Sequence, residues 1–264
     1  MPRFRYLNSD IALPPGTPSS AVVRELLRLV FEKFRWFVPR RYEHGPSFEK
    51  QLAPGPIDYG ALIATYEEHQ SLCIAARTDS DFICISPARY DYRPYCYNGD
   101  IAWRASAKLA SNPAWYAAHV EQVAEIMRLV SSPLAQSALG EDVERKTRRM
   151  IPNENGHGST ETFTLRNYSA GLSGLFWRNF FGPPFVRMFG ERLASLPEDC
   201  RKPLGDELVL VQPYELPTEA GTEQGDTRER ALIEQLGPGC FYDHVHHTPP
   251  TRLPALEHLS KILH

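Results

Sequence analysis

The sequence predicts an α+β protein, a single domain in which a mostly antiparallel sheet packs against several helices. Its 264 residues are 42% hydrophobic and 23% charged, which is ordinary for a globular protein with a sizeable core. Candidate strands come in clusters between helices rather than in strict alternation, a pattern that favours α+β over a doubly wound sheet. No repeat of about 20 to 50 residues is visible. No linker is long enough to separate domains, so residues 1–264 are predicted to form one domain.

The first element is predicted to be an N-terminal arm over residues 1–18, because Pro14, Pro15 and Pro18 interrupt regular structure. After the arm, Ser19 or Ser20 can cap a helix. Apolar residues recur at helical spacing from about residue 20 to 37, which predicts the extent of this helix.

A hairpin is predicted next. Residues 40–57 are polar and rich in glycine and proline, which is typical of a surface loop. Residues 58–68 fit either a strand or a short helix. Two β-like runs, 72–76 and 82–86, flank a polar linker at 77–81 that suits a hairpin turn.

The dipeptide Asn112-Pro113 is a strong helix start, since asparagine caps free N–H groups and proline fits the first helical position. The helix is predicted over residues 113–131. Residues 140–160 are charged and then rich in glycine and asparagine, so a loop is expected there. Residues 160–168 alternate enough to predict a strand.

A basic run lies inside that expected loop. The run is Arg145-Lys146-Thr147-Arg148-Arg149, and it directly follows the acidic residues Glu141, Asp142 and Glu144. Because the local charge nearly cancels, a track for phosphates is disfavoured and a solvated helix end is expected.

The segment from Gly171 to Gly190 is dense in aromatic residues. Two short helical pieces, broken at Gly182-Pro183-Pro184, would explain its pattern. Six large rings in so short a segment most often belong to a core, although exposed rings would serve as interface anchors. They are Phe176, Trp177, Phe180, Phe181, Phe185 and Phe189.

Residues 208–211 predict a short buried strand, and residues 213–227 an acidic loop. Asp226 or Thr227 can open a helix that runs to Leu236 and ends at Gly237. Residues 239–242 are then expected to return to the sheet.

Composition and charge exclude several functional classes. The net charge is -3, whereas nucleic-acid binders usually carry a basic balance, so direct nucleic-acid binding is not expected. No run of 18 apolar residues and no signal-peptide pattern occurs, which predicts a cytoplasmic protein without a membrane span. The five cysteines show no C-x-x-C pair and are expected to be free thiols in a reducing compartment. They are Cys73, Cys84, Cys96, Cys200 and Cys240.

A search for catalytic motifs finds none, so no catalytic residue, no cofactor and no enzymatic activity are predicted. Gly171-Leu172-Ser173-Gly174-Leu175 resembles a nucleophile elbow, but Leu175 occupies the position where that tight turn needs glycine. Neither a phosphate loop nor a dinucleotide-binding glycine pattern is present.

Two alternatives stay open. In an extended segment, His244 and His246 would project to the same side, and Asp243 could complete a metal site for a metal-dependent enzyme. The expectation is nevertheless no metal, because no further ligand motif accompanies this cluster. The other alternative is a small-ligand module with the aromatic segment around Trp177 lining a pocket.

An acidic cluster is the best candidate for binding a partner. Such a segment presents negative potential to a basic protein and contributes steering and specificity. Its five residues are Glu215, Glu219, Glu223, Asp226 and Glu229.

The aromatic and glycine pattern of the C-terminal half resembles a known family. The pattern comprises Gly171-Leu172-Ser173-Gly174-Leu175-Phe176-Trp177-Arg178-Asn179-Phe180-Phe181-Gly182-Pro183-Pro184-Phe185-Val186, Phe189-Gly190, Leu208-Val209-Leu210, Arg230-Ala231-Leu232-Ile233-Glu234-Gln235-Leu236-Gly237 and Phe241-Tyr242-Asp243. Together these residues resemble the immunity protein 52 family of bacterial polymorphic toxin systems, most clearly over residues 160–245.

The resemblance implies an immunity protein that binds a secreted nuclease toxin of restriction-endonuclease fold, in a type VI secretion setting. A nuclease cleft that binds phosphates is basic, so the acidic cluster would be complementary to it. The complex could be one-to-one or of higher order, and homo-oligomerisation stays open. The acidic residues would cap the active site, or the protein would bind elsewhere and distort the toxin.

Overall fold

A computed structural model describes residues 6–86, 99–153, 156–165 and 167–256. The chain divides into two compact units, the first comprising the described residues up to Ala135 and the second running from Gln136 to Leu256. Helices and antiparallel strand pairs occur in both, so the fold class is α+β, as predicted. The assignment of residues 1–264 to one domain stays a prediction.

The described residues of the first unit form six strands and four α-helices. The strands are adjacent in the order β1-β6-β5-β4-β2-β3, and their pairing is antiparallel throughout. They are β1 (Tyr6–Ala12), β2 (Arg41–Glu43), β3 (Lys50–Gln51), β4 (Leu72–Ala75), β5 (Phe82–Ser86) and β6 (Asp100–Ser106). The helices are α1 (Ser20–Arg28), α2 (Tyr59–His69), α3 (Ala107–Ala110) and α4 (Pro113–Val130).

Strand β1 corrects the prediction of an arm over residues 1–18. It pairs along its whole length with β6, and the side chains of Leu7, Ser9 and Ile11 are buried while their neighbours are partly exposed. This alternation is the period of a strand with one face in the core. The prolines lie beyond the strand, so they end it rather than prevent it.

The predicted hairpin of β4 and β5 is confirmed, but the prediction of free thiols is wrong for two of the cysteines. Cys73 and Cys84 stand directly opposite each other in the register and form a disulfide. Cys200 and Cys240 are free and buried, whereas Cys96 lies outside the described residues.

The predicted starts of two helices in this unit are confirmed. Ser19 caps α1, and Asn112 caps α4 with Pro113 at the first helical turn, as expected. The ambiguous segment before β4 is helix α2. The first helix continues from α1 as a π-helix over Leu29–Lys33, four residues short of the predicted end.

The second unit is built around a short antiparallel group of strands in the order β11-β12-β10. Strand β7 (Leu134–Leu139) crosses the division between the units. The remaining strands are β8 (Arg148–Pro152), β9 (Ser159–Phe163), β10 (Arg178–Phe181), β11 (Arg201–Gly205) and β12 (Leu208–Val211). The helices are α5 (Gly140–Thr147), α6 (Pro183–Phe189), α7 (Glu191–Ala194) and α8 (Glu223–Leu236).

Several secondary-structure predictions fail in this unit. Residues 239–242, expected to return to the sheet, begin in the 3-10 helix Pro238–Cys240 instead. The expected loop at residues 140–160 is instead α5 followed by β8, which pairs with β9 in a separate hairpin. The first of the two helical pieces expected between Gly171 and Gly190 is instead strand β10. Its side chains are buried on both faces, which removes the alternation that identifies a strand.

The aromatic segment forms core, as the residue pattern favoured. The side chains of Trp177, Phe180 and Phe185 are each at most 1% exposed. The Trp177 ring is therefore packed against protein and does not line an open cleft of the kind a small-ligand module would need.

Among the described residues, no helix combines the length and apolar character needed to cross a membrane.

Candidate partner-binding surface

Four of the five predicted acidic residues lie together where α8 begins. Glu215 and Glu223 are exposed, and Glu219 and Asp226 are partly exposed. We call Glu215, Glu219, Glu223 and Asp226 the acidic surface. The exposed side chain of Leu216 lies within the same segment.

The conformation of this surface is fixed by local hydrogen bonds. The Thr222 side chain caps α8 by accepting from the Gly225 N–H at 3.1 Å, and its hydroxyl donates to the Glu219 carbonyl at 2.7 Å. The Glu219 carboxylate in turn accepts from the Leu216 N–H at 2.8 Å. Each of these short-range contacts removes conformational freedom from the loop, so the loop and the Glu219 carboxylate are held in place before any partner arrives.

Gly225 makes this arrangement possible. A Cβ atom at residue 225 would lie 2.1 Å from the Glu219 carbonyl oxygen. Only glycine therefore lets the loop lie so close to the first turn of α8. The helix itself begins at Glu223, three residues before the predicted Asp226, and ends before Gly237 as expected.

Glu229, the fifth predicted residue, does not belong to the acidic surface. Its side chain is 7% exposed and lies on the inner side of α8, where Lys146 approaches it at 2.8 Å and the Tyr214 hydroxyl donates to it at 3.0 Å. A carboxylate that is buried and already accepts two hydrogen bonds cannot contact a partner. The helical period places residue 229 on the inner side although its neighbours in sequence are exposed.

Lys146 corrects the expectation of a solvated helix end. Its ammonium group is buried and donates to Asp142 at 2.9 Å, to Glu229 at 2.8 Å and to the Leu175 carbonyl at 2.5 Å. It also lies 5.0 Å from the centre of the Phe176 ring. We call Lys146, Asp142, Glu229 and Tyr214 the ionic centre.

Arg145 connects the ionic centre to the acidic surface. One side of its guanidinium donates to the buried Asp142 at 2.8 Å, and the other donates to Asp226 at 3.1 Å. Helix α5 thereby fixes the first turn of α8 through paired charges of opposite sign.

The electrostatics of the ionic centre follow from burial. Burial raises the pKa of Glu229, and the Lys146 ammonium opposes that rise. Burial, followed by the neighbouring Glu229 carboxylate, raises the pKa of the Tyr214 hydroxyl, which therefore stays protonated and keeps donating its hydrogen bond.

The histidine segment does not have the extended conformation that the alternative metal site required. Residues 243–248 make a closed turn in which Asp243 and Thr248 exchange backbone hydrogen bonds of 3.0 and 3.2 Å. His246 lies 2.7 Å from Asp243, whereas His244 is bonded to the Ser173 carbonyl at 2.6 Å. The two rings therefore have different partners. No group of three or more potential metal ligands occurs in the part of the chain that the structure describes.

One pair of neighbouring carboxylates was not predicted from the sequence. Asp10 on β1 and Asp100 on β6 lie on the same face of neighbouring strands, two residues apart in register. Burial raises the pKa of Asp10 to about 7, with Asp100 adding to the shift and Arg104 opposing it. Only the alternation of apolar and polar residues in β1 could have indicated this pair. Residues 1–18 were instead predicted to be an irregular arm.

Comparison with known proteins identifies the fold but not the family. The Pseudomonas aeruginosa T6SS protein PA0821 has a similar structure, with a TM-score of 0.55 at 11% sequence identity, covering 98% of this chain and 83% of that one. No family model matches the chain, and no curated protein matches it. At this identity the similarity shows the fold alone, so the resemblance to the immunity protein 52 family stays a prediction.

Proposed function

We propose that this chain is a cytoplasmic immunity protein that binds and neutralises a cognate secreted nuclease toxin, and so protects the bacterium that produces both. The observation that supports the proposal most directly is the acidic surface at the start of α8. Hydrogen bonds within the chain hold two of its carboxylates, Glu219 and Asp226. A nuclease cleft that binds phosphates carries the complementary positive charge. The fold similarity to PA0821, a T6SS protein, is compatible with a type VI secretion setting.

Of the two routes to neutralisation, capping of the active site fits the surface better. Glu219 and Glu223 would occupy the positions of substrate phosphates. The Leu216 side chain, which is 50% exposed beside them, would add an apolar contact. A combination of apolar anchors and charges is typical of tight protein interfaces.

In this proposal the protein acts by binding alone. It has no catalytic role, requires no cofactor or metal, does not bind nucleic acid directly, and is not attached to a membrane. Homo-oligomerisation is compatible with the proposal but is not required by it.

The test is rescue and binding with the product of the adjacent gene. That product is expressed in bacteria with and without this chain, and the purified pair is then analysed for co-elution. Suppressed toxicity together with co-elution is the expected result. A toxic product that this chain neither binds nor suppresses would refute the proposal for that partner.

A further inference from the structure

The first unit carries an open groove that the proposed function does not use. Its volume is about 530 Å³, which falls within the range of protein binding sites. Phe31 and Leu52 form its buried floor, and the exposed side chain of Val38 stands on its rim. The Phe31 and Phe37 rings meet edge to face, with their centres 5.3 Å apart.

The two walls of the groove are held by backbone hydrogen bonds. The Leu52 N–H donates to the Arg40 carbonyl at 2.9 Å, and the Arg40 N–H donates to the Ala75 carbonyl at 2.9 Å. The wall from residue 53 to 57 contains two prolines, which restrict its backbone further. The groove is therefore shaped before a ligand binds.

The other wall has an unusual backbone. The π-helix Leu29–Lys33 ends beside the groove, and Arg35 follows it with φ of +54°. π-Helical turns and left-handed non-glycine residues both cost stability and concentrate at functional sites. Here they direct the chain so that Arg35 and residues 37–40 border the groove.

The charge at the rim is predominantly positive. Arg35 and Arg40 are exposed lining residues, and neither guanidinium forms an ion pair within the described part of the chain. Glu32 is the acidic lining residue. It lies near Tyr59, where burial and then the Glu32 carboxylate raise the pKa of the tyrosine hydroxyl.

We propose that this groove binds a segment of a protein partner that carries large apolar side chains flanked by acidic residues. The apolar side chains would contact Phe31, Leu52 and Val38, and the carboxylates would bind Arg35 and Arg40 through charge-assisted hydrogen bonds. A protein segment fits better than an enclosed small molecule, because the rim residues Glu32, Arg35, Val38, Arg40, Ala53 and Gly55 are all exposed. This inference is independent of the immunity function.

The test uses the full chain and two fluorescently labelled peptides. One has a central run of leucines flanked by glutamates, and its twin has lysines in place of the glutamates. Fluorescence polarisation is expected to show saturable binding of the glutamate peptide and much weaker binding of the lysine peptide. Arg40→Glu should weaken binding of the glutamate peptide by at least about tenfold, which is the effect of losing one charge-assisted contact. Val38→Asp should weaken binding of this peptide as well.

Matched controls keep the result specific to the groove. Arg77→Glu and Val245→Asp make the same changes at exposed residues that do not line it, and both should bind as the parent chain does. Equal binding of the two peptides, or equal effects of groove and control variants, would overturn the proposal. The small fluorophore 8-anilinonaphthalene-1-sulfonate provides a further outcome. If the fluorophore binds and Val38→Asp abolishes its binding, while the glutamate peptide does not bind, the groove is a small-molecule site. That result would also overturn the proposal.

Discussion

Two carboxylates, Glu229 in the second unit and Asp10 in the first, both have a pKa raised by burial but have opposite neighbours. Glu229 has the Lys146 ammonium at 2.8 Å and the Tyr214 hydroxyl at 3.0 Å. Asp10 has a second carboxylate, Asp100, as the neighbour that adds to its pKa shift, and Arg104 only partly offsets it. The Arg104 guanidinium is shared with the Tyr6 ring, 4.1 Å away, and with the Asn8 side chain, 3.4 Å away.

The difference teaches that the two units use buried charge in different ways. In the ionic centre each charge has a partner of opposite sign, so the arrangement depends on all of its members being present. At Asp10 the charge is only partly compensated, by Arg104, so the group is more easily accommodated when it is protonated. Removing charge should therefore destabilise the first arrangement and stabilise the second.

The largest expected effect is that of Lys146→Met. The substitution leaves Glu229 buried without a cation and Asp142 with Arg145 alone, which should cost about 3–5 kcal/mol of unfolding free energy. Urea denaturation at pH 7 measures it, with Lys108→Met at an exposed position as the control. A loss below about 1 kcal/mol would contradict the view that the centre depends on its cation.

Gly225→Ala changes the position of α8 without changing any charge. Its effect is measured as the unfolding free energy and as the affinity for the toxin. The added methyl group would meet the Glu219 carbonyl, so the loop must move, at a cost of about 2–3 kcal/mol. Affinity for the toxin should fall as well, because Glu219 and Glu223 would be displaced relative to each other. Gly45→Ala, where the added atom meets nothing within 4 Å, should leave both measurements unchanged.

Asp10→Asn should raise the unfolding free energy, whereas the two preceding substitutions lower it. Between about pH 4 and 7 the unfolded chain has an ionised Asp10 while the folded chain keeps it protonated. Stability of the parent chain therefore falls as pH rises through this range and levels off above it. Thermal denaturation between pH 4.5 and 7.5 should show a flatter profile for the variant, which should be more stable by about 2 kcal/mol at pH 7.5. Glu67→Gln is the exposed control. Parallel profiles for Asp10→Asn and the parent chain would contradict a raised pKa of Asp10 in the folded protein.

Charge reversal of the acidic surface should have the smallest effect on stability. Glu223→Lys changes an exposed side chain and should alter the unfolding free energy by about 0.5 kcal/mol or less. The pair Glu219→Lys and Glu223→Lys should nevertheless weaken toxin binding by about a hundredfold, as measured by calorimetry. Glu234→Lys, near the other end of the same helix, is the control. If it weakens binding equally, the effect is one of net charge and not of this surface.

Local signals made part of the fold predictable. The hairpin of β4 and β5 and the start of α4 at Asn112-Pro113 depend on residues adjacent in sequence, and both are found as predicted. Strand β1 was missed because a serine occupies one of its buried positions and prolines follow closely. Strand β10 was missed because both of its faces are buried.

The candidate site was less predictable, because its partners are distant in sequence. The acidic residues around Glu219 and Glu223 could be identified from composition alone. The burial of Lys146 could not, since its neighbours in sequence balance its charge while its partner Glu229 lies 83 residues away. The Asp10–Asp100 pair has the same character, because it exists only once β1 and β6 are in register.

The pairing of β1 with β6 has a consequence for synthesis on the ribosome. Tyr6 is opposite Ser106 and Ala12 is opposite Asp100, so every residue of β1 pairs with a residue translated roughly 90 to 100 positions later. At bacterial elongation rates of about 5–20 residues per second, this strand waits for seconds before its partner emerges. During that interval Leu7 and Ile11 are unprotected, and a nascent chain that is held by a chaperone should reach the native register in higher yield than one that is not.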